Sequence, residues 1–271
     1  MNPIVRSALF VPGSRPERFA KALACGADAV IVDFEDAVEA SLKGLARDNL
    51  AAFLDAEPSA RVMVRVNAAG DPEQAADLEL CGRLPGVVGI LLPKAERAAQ
   101  VRIAAACGKP VWPLIESARG LLAVGEIAAC ESVERLTFGG LDLALDIGMS
   151  NGTSAVASVY DQVRLSLLLH SRVNGLQPPL DTVYPNFDDA QGLAATIRHG
   201  RDLGMVGALC IHPRQVAVVH AALTPGADEL NWARRVVAAA QDGAAAFQVD
   251  GQMVDAPVLA RARRVLASAG Q

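Results

Sequence analysis

Short apolar segments alternate with amphipathic segments along almost the whole chain, and this alternation constrains the fold more than any other feature. Apolar runs of this length predict β-strands, and the segments between them predict helices. Strands that alternate with helices form βαβ units around a parallel sheet, and eight such units predict a closed (β/α)8 barrel, the TIM barrel. The predicted strands are Ser7–Val11, Ala29–Asp33, Val62–Val66, Gly89–Pro93, Val111–Ile115, Arg135–Phe138, Leu176–Val183 and Gly207–Ile211.

The length of the chain agrees with one barrel of this kind. A (β/α)8 barrel takes about 250 residues, and this chain has 271, of which 52% are apolar and can form a large core. The alternative is an open doubly wound sheet, which we disfavour because no Gly-x-Gly-x-x-Gly follows the first strand. Helices are predicted near Glu17–Cys25, Lys43–Asp55, Glu73–Leu84, Ala95–Cys107, Ala118–Cys130, Ala155–Asn174, Asp188–Leu203, Gln215–Ala222 and Glu229–Ala246.

The C-terminal residues have a different pattern from the barrel units. Residues 1–246 are predicted to form the barrel, and residues 247–271 to form a C-terminal arm or lid. Asp250-Gly251 lies between two short apolar stretches, which predicts a β-hairpin, and a last helix is expected from Asp255 to about Ala267. Because the arm follows the eighth unit, it is free to cover a barrel mouth, either its own or that of a neighbouring subunit.

Bulk composition excludes several classes of function. The net charge of −5 offers no basic footprint for nucleic acid, and no apolar run approaches the roughly 18 residues of a membrane span. The five cysteines include no C-x-x-C pair and are expected to be reduced, buried thiols. The N-terminus lacks the charged and apolar regions of a signal peptide. We therefore expect a cytoplasmic protein that binds neither nucleic acid nor membrane.

Two successive predicted strands end on a carboxylate. Glu116 ends the fifth strand and Asp142 ends the sixth. Catalytic groups gather at the C-terminal ends of barrel strands, so we expect these two acids to lie together on one rim. Two carboxylates, with water and substrate oxygens, suit Mg²⁺, and the absence of His or Cys at either position argues against zinc. The alternative is that these acids form ion pairs with Arg119 or Arg135, or cap a helix.

Arg65 lies inside an apolar strand, where an arginine is unfavourable unless it is paired. Its planar guanidinium suits a substrate carboxylate or a polarised carbonyl, so we predict a catalytic and substrate-binding role. The alternative is a structural salt bridge to Glu35 or Asp36, which follow the second strand. One of these acids could pair with Arg65 while the other binds a metal-bound water, and both are candidate catalytic residues. Asp36 could equally cap the helix that follows.

The remaining candidates come from the rim and from the arm. Lys94 ends the fourth strand and either contacts a substrate anion or pairs with a nearby carboxylate. Gly139 and Gly140 would let the backbone pass close to a bound substrate. Asp255, followed by Ala-Pro, reads as a helix N-cap, but a carboxylate on an arm above a metal site could also act as a general acid or base.

Together these motifs resemble a known family. The chain is similar, from about Ser7 to Leu266, to the citrate lyase β-subunit-like (CitE-like) branch of the HpcH/HpaI aldolase/citrate lyase family. Several motifs in the same order are far more specific than any one of them. The matching segments are Ser7–Gly13, Ala27–Val38, Val64–Asn67, Leu92–Lys94, Pro113–Gly120, Phe138–Asp142, Ile211–Pro213 and Gly251–Pro257.

The resemblance implies a function as well as a fold. It implies a (β/α)8 barrel in a homotrimer or hexamer, Mg²⁺ on Glu116 and Asp142, and Arg65 on the substrate's oxygens. It also implies that Asp255 does acid–base work for a neighbouring subunit and that Asp36 lies beside the metal. The implied activity is a Mg²⁺-dependent lyase that cleaves or forms a β-hydroxyacyl-CoA thioester such as malyl-, citramalyl- or citryl-CoA, releasing acetyl-CoA and an oxo acid. The alternatives are a CoA-independent pyruvate or oxaloacetate aldolase, the β subunit of a citrate lyase complex that acts on an acyl-carrier thioester, and a non-catalytic barrel that binds a small acid.

Overall fold

The computed structural model describes residues 4–150, 153–240 and 246–268. These residues form two compact units, which divide after His220. The division falls earlier than the predicted one at residue 246. The reason is that the helix Ala227–Ala239 shares a hydrophobic core with the C-terminal hairpin and the last helix.

The first unit is built around a sheet of parallel strands, and this sheet confirms the predicted barrel. Within the described residues eight strands pair in the order β7-β6-β5-β4-β3-β2-β1-β8. A β-bridge between Asp181 and Ala208 joins the last neighbours, β7 and β8, so that the sheet closes on itself. The strands are β1 Ser7–Pro12, β2 Ala29–Asp33, β3 Val62–Arg65, β4 Val87–Leu92, β5 Val111–Ile115, β6 Arg135–Phe138, β7 Gln177–Leu180 and β8 Ala208–Cys210.

The helices follow the strands as expected, with two differences. The predicted helix Ala118–Cys130 is two short helices, because the backbone at Ala123 (φ −93°, ψ 2°) leaves the helical conformation. A short helix that was not predicted, Gly140–Asp146, follows β6. The helices of this unit are α1 Phe19–Ala24, α2 Lys43–Ala56, α3 Gln74–Arg83, α4 Ala98–Ala105, α5 Ala118–Leu122, α6 Val124–Ala128, α7 Gly140–Asp146, α8 Ser154–Val173 and α9 Ala190–Leu203. Helix α10, Pro213–Leu223, contains the division after His220.

Apolar side chains fill the barrel interior. Successive side chains on a strand point to opposite faces, so every second residue of each strand faces inward. Burial of this surface stabilises the barrel by about 25 cal/mol per Å² of apolar area removed from water. The interior cluster consists of Ala8, Ile31, Met63, Leu91, Trp112, Leu114, Leu180 and Leu209.

The second unit has its own core and the predicted hairpin. It consists of α11 Ala227–Ala239, β9 Phe247–Val249, β10 Gln252–Val254 and α12 Ala256–Ser268. The turn residues Asp250 (φ 51°) and Gly251 (φ 78°) both adopt the left-handed conformation of a two-residue hairpin turn. Helix α11 ends at Ala239, and part of the predicted helix Glu229–Ala246, residues 241–245, lies outside the described residues.

Within the described ranges, every helix is too short or too polar to cross a membrane.

Candidate metal and substrate site

Glu116 lies directly after β5 and is almost completely buried. Its Oε1 accepts a hydrogen bond from the backbone amide of Lys94 at 2.7 Å. Its Oε2 lies against the bare backbone of Gly139, where a Cβ atom would come within 2.4 Å of that oxygen. Burial raises the pKa of Glu116 to about 8; the Lys94 amide opposes the shift, and the carboxylates of Glu35 and Asp142 add to it. A cation beside Glu116 would therefore relieve an unfavourable buried charge.

The sequence predicts that Asp142 ends a strand, but the structure places it in the first turn of α7. The prediction was wrong in this detail because a seven-residue helix that begins at Gly140 has no clear periodic signal. The helix begins right after β6, so Asp142 still reaches the rim where Glu116 lies, and both acids line the same cavity. The described residues show neither predicted ion pair, because Arg119 pairs with Glu96 and Arg135 donates to the carbonyl oxygen of Pro178.

The donor set of this pair suits Mg²⁺. The described residues contain no cluster of three or more His, Cys, Asp or Glu side chains that could hold a metal ion. Mg²⁺ does not require one, because it commonly binds through one or two carboxylates and keeps water or substrate oxygens as its other ligands. Two carboxylates, one of them buried beside a glycine that leaves space, match this requirement.

Arg65 ends β3 and makes a bidentate ion pair with Asp33, the residue beside it on β2. Its Nε donates to Asp33 Oδ1 at 2.7 Å, and its Nη2 donates to Oδ2 at 2.6 Å. Its Nη1 lies 3.0 Å from Glu35 Oε2 and 3.4 Å from Asp36 Oδ2. Burial acts to lower the pKa of Arg65, but these carboxylates outweigh it and the pKa is raised, so the guanidinium remains charged.

Arg65 therefore does form a structural salt bridge, as the alternative interpretation requires. Its main partner is Asp33, whereas the sequence suggested Glu35 or Asp36. Asp36 does not cap the following helix; its half-exposed carboxylate faces Arg65 Nη1 and, at 3.8 Å, Lys94 Nζ. Because Asp33 takes two of the guanidinium nitrogens, Nη1 is the nitrogen that faces Glu35 and Asp36.

Lys94 connects the two groups of acids. Its ammonium pairs with Glu35, as one of the predicted alternatives requires, while its backbone amide binds Glu116. Its backbone adopts φ 49°, a left-handed conformation that is uncommon for a residue with a side chain. Burial raises the pKa of Glu35, although Arg65 and Lys94 oppose that shift.

A cavity of about 270 Å³ opens at this end of the barrel. It brings together six of the predicted site residues: Asp36, Arg65, Glu116, Gly139, Gly140 and Asp142. Its other wall is largely apolar, with Phe10, Leu114, Val183, Leu209 and Ile211 among the lining residues. The cavity thus combines paired carboxylates and a guanidinium with an apolar surface, as small-molecule sites usually do.

Asp255 lies in the second unit, where it caps α12. Its Oδ1 accepts a hydrogen bond from the amide of Val258 at 3.2 Å, the N-cap geometry that the sequence suggests. The capping interpretation is therefore confirmed, and the acid–base role stays a prediction.

Sequence reasoning missed several residues that shape the site. Asp33 was noted only as a strand end, although a register in which it faces Arg65 would have identified it as the partner. Lys43 donates to the carbonyl oxygens of Phe34 and Glu35 and to Asn67 Oδ1, and so holds the loop that carries Glu35. No local pattern marks such contacts, because they join residues that are distant in the chain.

The family model for HpcH/HpaI aldolase/citrate lyase matches residues 6–213. The chain therefore belongs to the HpcH/HpaI aldolase/citrate lyase family and is an enzyme of the lyase or aldolase type.

Individual relatives place it in the citrate lyase β-like branch, as its motifs indicated. A citrate lyase subunit beta-like protein of Mycobacterium tuberculosis is 41% identical over 268 residues, which cover 97% of this chain and 95% of that protein. A (3S)-malyl-CoA thioesterase of Cereibacter sphaeroides is 36% identical over 273 residues, covering 97% and 94%. The crystal structure of CitE from Mycobacterium tuberculosis in complex with magnesium, acetoacetate and coenzyme A has a TM-score of 0.89 at 40% identity, with 100% of both chains covered.

Proposed function

We propose that this protein is a Mg²⁺-dependent carbon–carbon lyase that cleaves or forms a β-hydroxyacyl-CoA thioester such as malyl-, citramalyl- or citryl-CoA. The observation that carries the proposal is the cavity in which Glu116, Asp142 and Arg65 meet. The complex of the similar CitE protein with magnesium, acetoacetate and coenzyme A supports both the metal and the thioester. The similarity to a (3S)-malyl-CoA thioesterase supports a hydroxyacyl-CoA substrate.

Glu116 and Asp142 would hold the metal ion. When bound, Mg²⁺ supplies a positive charge that orients the substrate oxygens and stabilises the negative charge that develops on them. The amide of Lys94 keeps Oε1 of Glu116 in place, and Oε2, beside Gly139, would be the oxygen available to hold the metal ion.

Arg65, which lines the same cavity, would stabilise the substrate's oxygens. Its bidentate pair with Asp33 fixes the plane of the guanidinium before substrate binds, so little reorganisation accompanies the reaction. The surface that contacts the substrate would be completed by Lys94, Gly139 and Gly140. The carboxylates of Glu35 and Asp36 would pair with the Arg65 guanidinium, and one of them would also hold a water molecule beside the metal.

The reaction in the cleavage direction needs one acid–base pair. A carboxylate base, for which we propose Asp36 at the wall of the cavity, takes the proton of the β-hydroxyl. The bond between the α and β carbons breaks, and the electron pair of that bond passes to the thioester as an enolate. The hydroxyl carbon becomes the carbonyl of the oxo acid. Protonation of the α carbon then gives acetyl-CoA, and Asp255 would supply that proton from the arm of a neighbouring subunit. Condensation is the reverse of these steps.

The shared site requires an assembly, and we propose a homotrimer or hexamer. Subunit mixing tests this directly. The Asp255→Asn and Asp142→Asn variants should each be inactive, whereas mixed oligomers should regain activity if one subunit supplies the metal ligands and another supplies Asp255. Light scattering gives the oligomeric state, and mixtures that stay inactive despite exchanging subunits would argue against a shared site.

A coupled assay tests the function. The purified protein is incubated with malyl-, citramalyl- and citryl-CoA, with Mg²⁺ and with EDTA, and release of acetyl-CoA is followed. Release that is lost on chelation is expected for at least one thioester. Failure with all three, together with turnover of free pyruvate and aldehyde or of a carrier-linked thioester, would replace the proposal by the aldolase or the citrate lyase β-subunit alternative.

A further inference from the structure

The backbone of Gly140 is held at its amide and at its carbonyl oxygen by two side-chain hydroxyls. Its amide donates to Thr182 Oγ1 at 2.8 Å, and its carbonyl oxygen accepts a hydrogen bond from Tyr160 Oη at 2.5 Å. Gly140 is the first residue of α7, and Asp142 follows two residues later in the same turn. The two hydroxyls therefore hold the point from which the proposed metal ligand projects.

The contact leaves no space for a side chain at this position. A Cβ atom on Gly140 would lie 2.9 Å from Cζ and Oη of Tyr160 and 3.0 Å from Thr182 Oγ1. Real Cβ atoms essentially never approach closer than 3.0 Å. The two hydroxyls thus pack directly against bare backbone at the first residue of α7.

Each hydroxyl is itself anchored to the barrel wall. The Tyr160 ring packs edge-on against Phe138, the last residue of β6, with ring centroids 5.6 Å apart. Burial raises the pKa of Tyr160, so its hydroxyl remains a proton donor to the Gly140 carbonyl.

Thr182 is anchored through its neighbour in the chain. The amide of Thr182 donates to Asp181 Oδ1 at 2.9 Å. Both carboxylate oxygens of the buried Asp181 accept a hydrogen bond from Nε of Arg164, at 3.1 and 3.0 Å. Arg164 is four residues after Tyr160 on α8, so both side chains leave the same face of that helix. Helix α8 therefore supports α7 directly through Tyr160 and indirectly through Arg164 and Thr182.

We propose that Tyr160 and Thr182 are positioning residues for the metal site, which fix Asp142 at the distance from Glu116 that Mg²⁺ requires. This inference rests on the proposed role of Asp142 as a metal ligand. Thr182 lines the cavity, but the proposed effect of its hydroxyl is exerted on Asp142 through the amide of Gly140. Mg²⁺ demands nearly ideal ligand geometry, so a small displacement of α7 weakens binding even when the fold is intact.

The test measures Mg²⁺ affinity itself, by calorimetric titration of the metal-free protein. Tyr160→Phe and Thr182→Val each remove one hydroxyl and should weaken Mg²⁺ binding about tenfold, as loss of groups that orient metal ligands does. Thr182→Ser keeps the hydroxyl and should restore affinity to within about twofold of the wild type. Tyr184→Phe is the matched control, because its hydroxyl donates to Asp189 at 2.7 Å and makes no contact with Gly140 in the described residues. Thermal unfolding of each variant shows that it is folded during the titration.

Two results would overturn the inference. One is wild-type Mg²⁺ affinity in folded Tyr160→Phe and Thr182→Val protein. The other is equal loss in Thr182→Ser and Thr182→Val, which would assign the effect to packing and not to the hydrogen bond. The hydroxyls bond different backbone atoms of Gly140, the amide and the carbonyl oxygen, so either variant decides the question if the other does not fold. Asp142→Asn separates this inference from the proposed function: if it binds Mg²⁺ normally, the metal assignment itself fails.

Discussion

Replacement of Gly139 by alanine should disable the proposed metal site by moving one carboxylate. The new Cβ would lie 2.4 Å from Oε2 of Glu116 and 2.9 Å from its Cβ, which are both closer than real contacts. Gly139 cannot easily retreat, because its amide donates to the carbonyl oxygen of Ile115 at 3.0 Å and so keeps β6 beside β5. The Glu116 side chain must therefore move.

The size of the effect follows from the distance. Oε2 must retreat by about 1 Å to reach an ordinary contact of 3.4 Å, and a misplacement of about 1 Å typically costs on the order of 100-fold in rate. We expect a loss of about 100-fold in turnover at limiting Mg²⁺, which corresponds to about 2.7 kcal/mol. Mg²⁺ affinity should fall in the same direction.

The assay is calorimetric Mg²⁺ titration, combined with the thioester cleavage assay over a range of Mg²⁺ concentrations. Gly44→Ala is the matched control, because its Cβ would meet only Arg47 Nη2, at 3.9 Å, on the outer helix α2. That control should bind Mg²⁺ normally. If folded Gly139→Ala protein binds Mg²⁺ within about threefold of the wild type, Oε2 of Glu116 is not a ligand and the reasoning from this contact fails.

Substitutions at three further positions probe the remaining groups. Asp255→Asn keeps the cap of α12 and should reduce turnover in the thioester assay. Asp255→Ala should reduce turnover and, in unfolding measurements, also be less stable by about 0.5–2 kcal/mol, because the cap is lost. An active Asp255→Asn variant would leave Asp255 only the capping role. Arg65→Lys should lose the bidentate pair and reduce kcat/KM by about 100-fold in the thioester assay, and a loss below tenfold would argue against a direct role. Arg47→Met leaves the fully buried Asp77 without its cation and should lower the free energy of unfolding in urea by about 3 kcal/mol at neutral pH. Burial already raises the pKa of Asp77, so this deficit should shrink as the pH falls and the carboxyl protonates; a deficit independent of pH would contradict the charge argument.

The barrel could be predicted because each of its units carries a local signal. Ala29–Asp33, Val111–Ile115 and Arg135–Phe138 have the bounds that the sequence indicates, since an apolar run buried on both faces ends where the first charged or small residue reaches the rim. Glu116 could be predicted for the same reason. These features depend only on neighbours in the chain.

The details of the site depend on contacts between distant segments, which the sequence does not display. Three acids follow or end β2, and only the register between β2 and β3 makes Asp33 the main partner of Arg65. Tyr160 and Thr182 meet Gly140 across 20 and 42 residues, and a hydroxyl has no sequence pattern that marks its partner. The residues proposed to contact metal or substrate were thus easier to predict than those that hold them in place.

The left-handed backbone of Lys94 has an evolutionary consequence. A φ of 49° would suit glycine better, and a residue with a side chain bears a strain of about 1–2 kcal/mol there. Glycine would keep the amide that binds Glu116 but would lose the ammonium that pairs with Glu35. Substitutions at Glu35 and Glu116 should therefore be epistatic, since both acids depend on one residue. A change of side chain at position 94 would release Glu35 while the backbone amide continues to hold Glu116, so the two acids would respond differently to sequence drift at this one position.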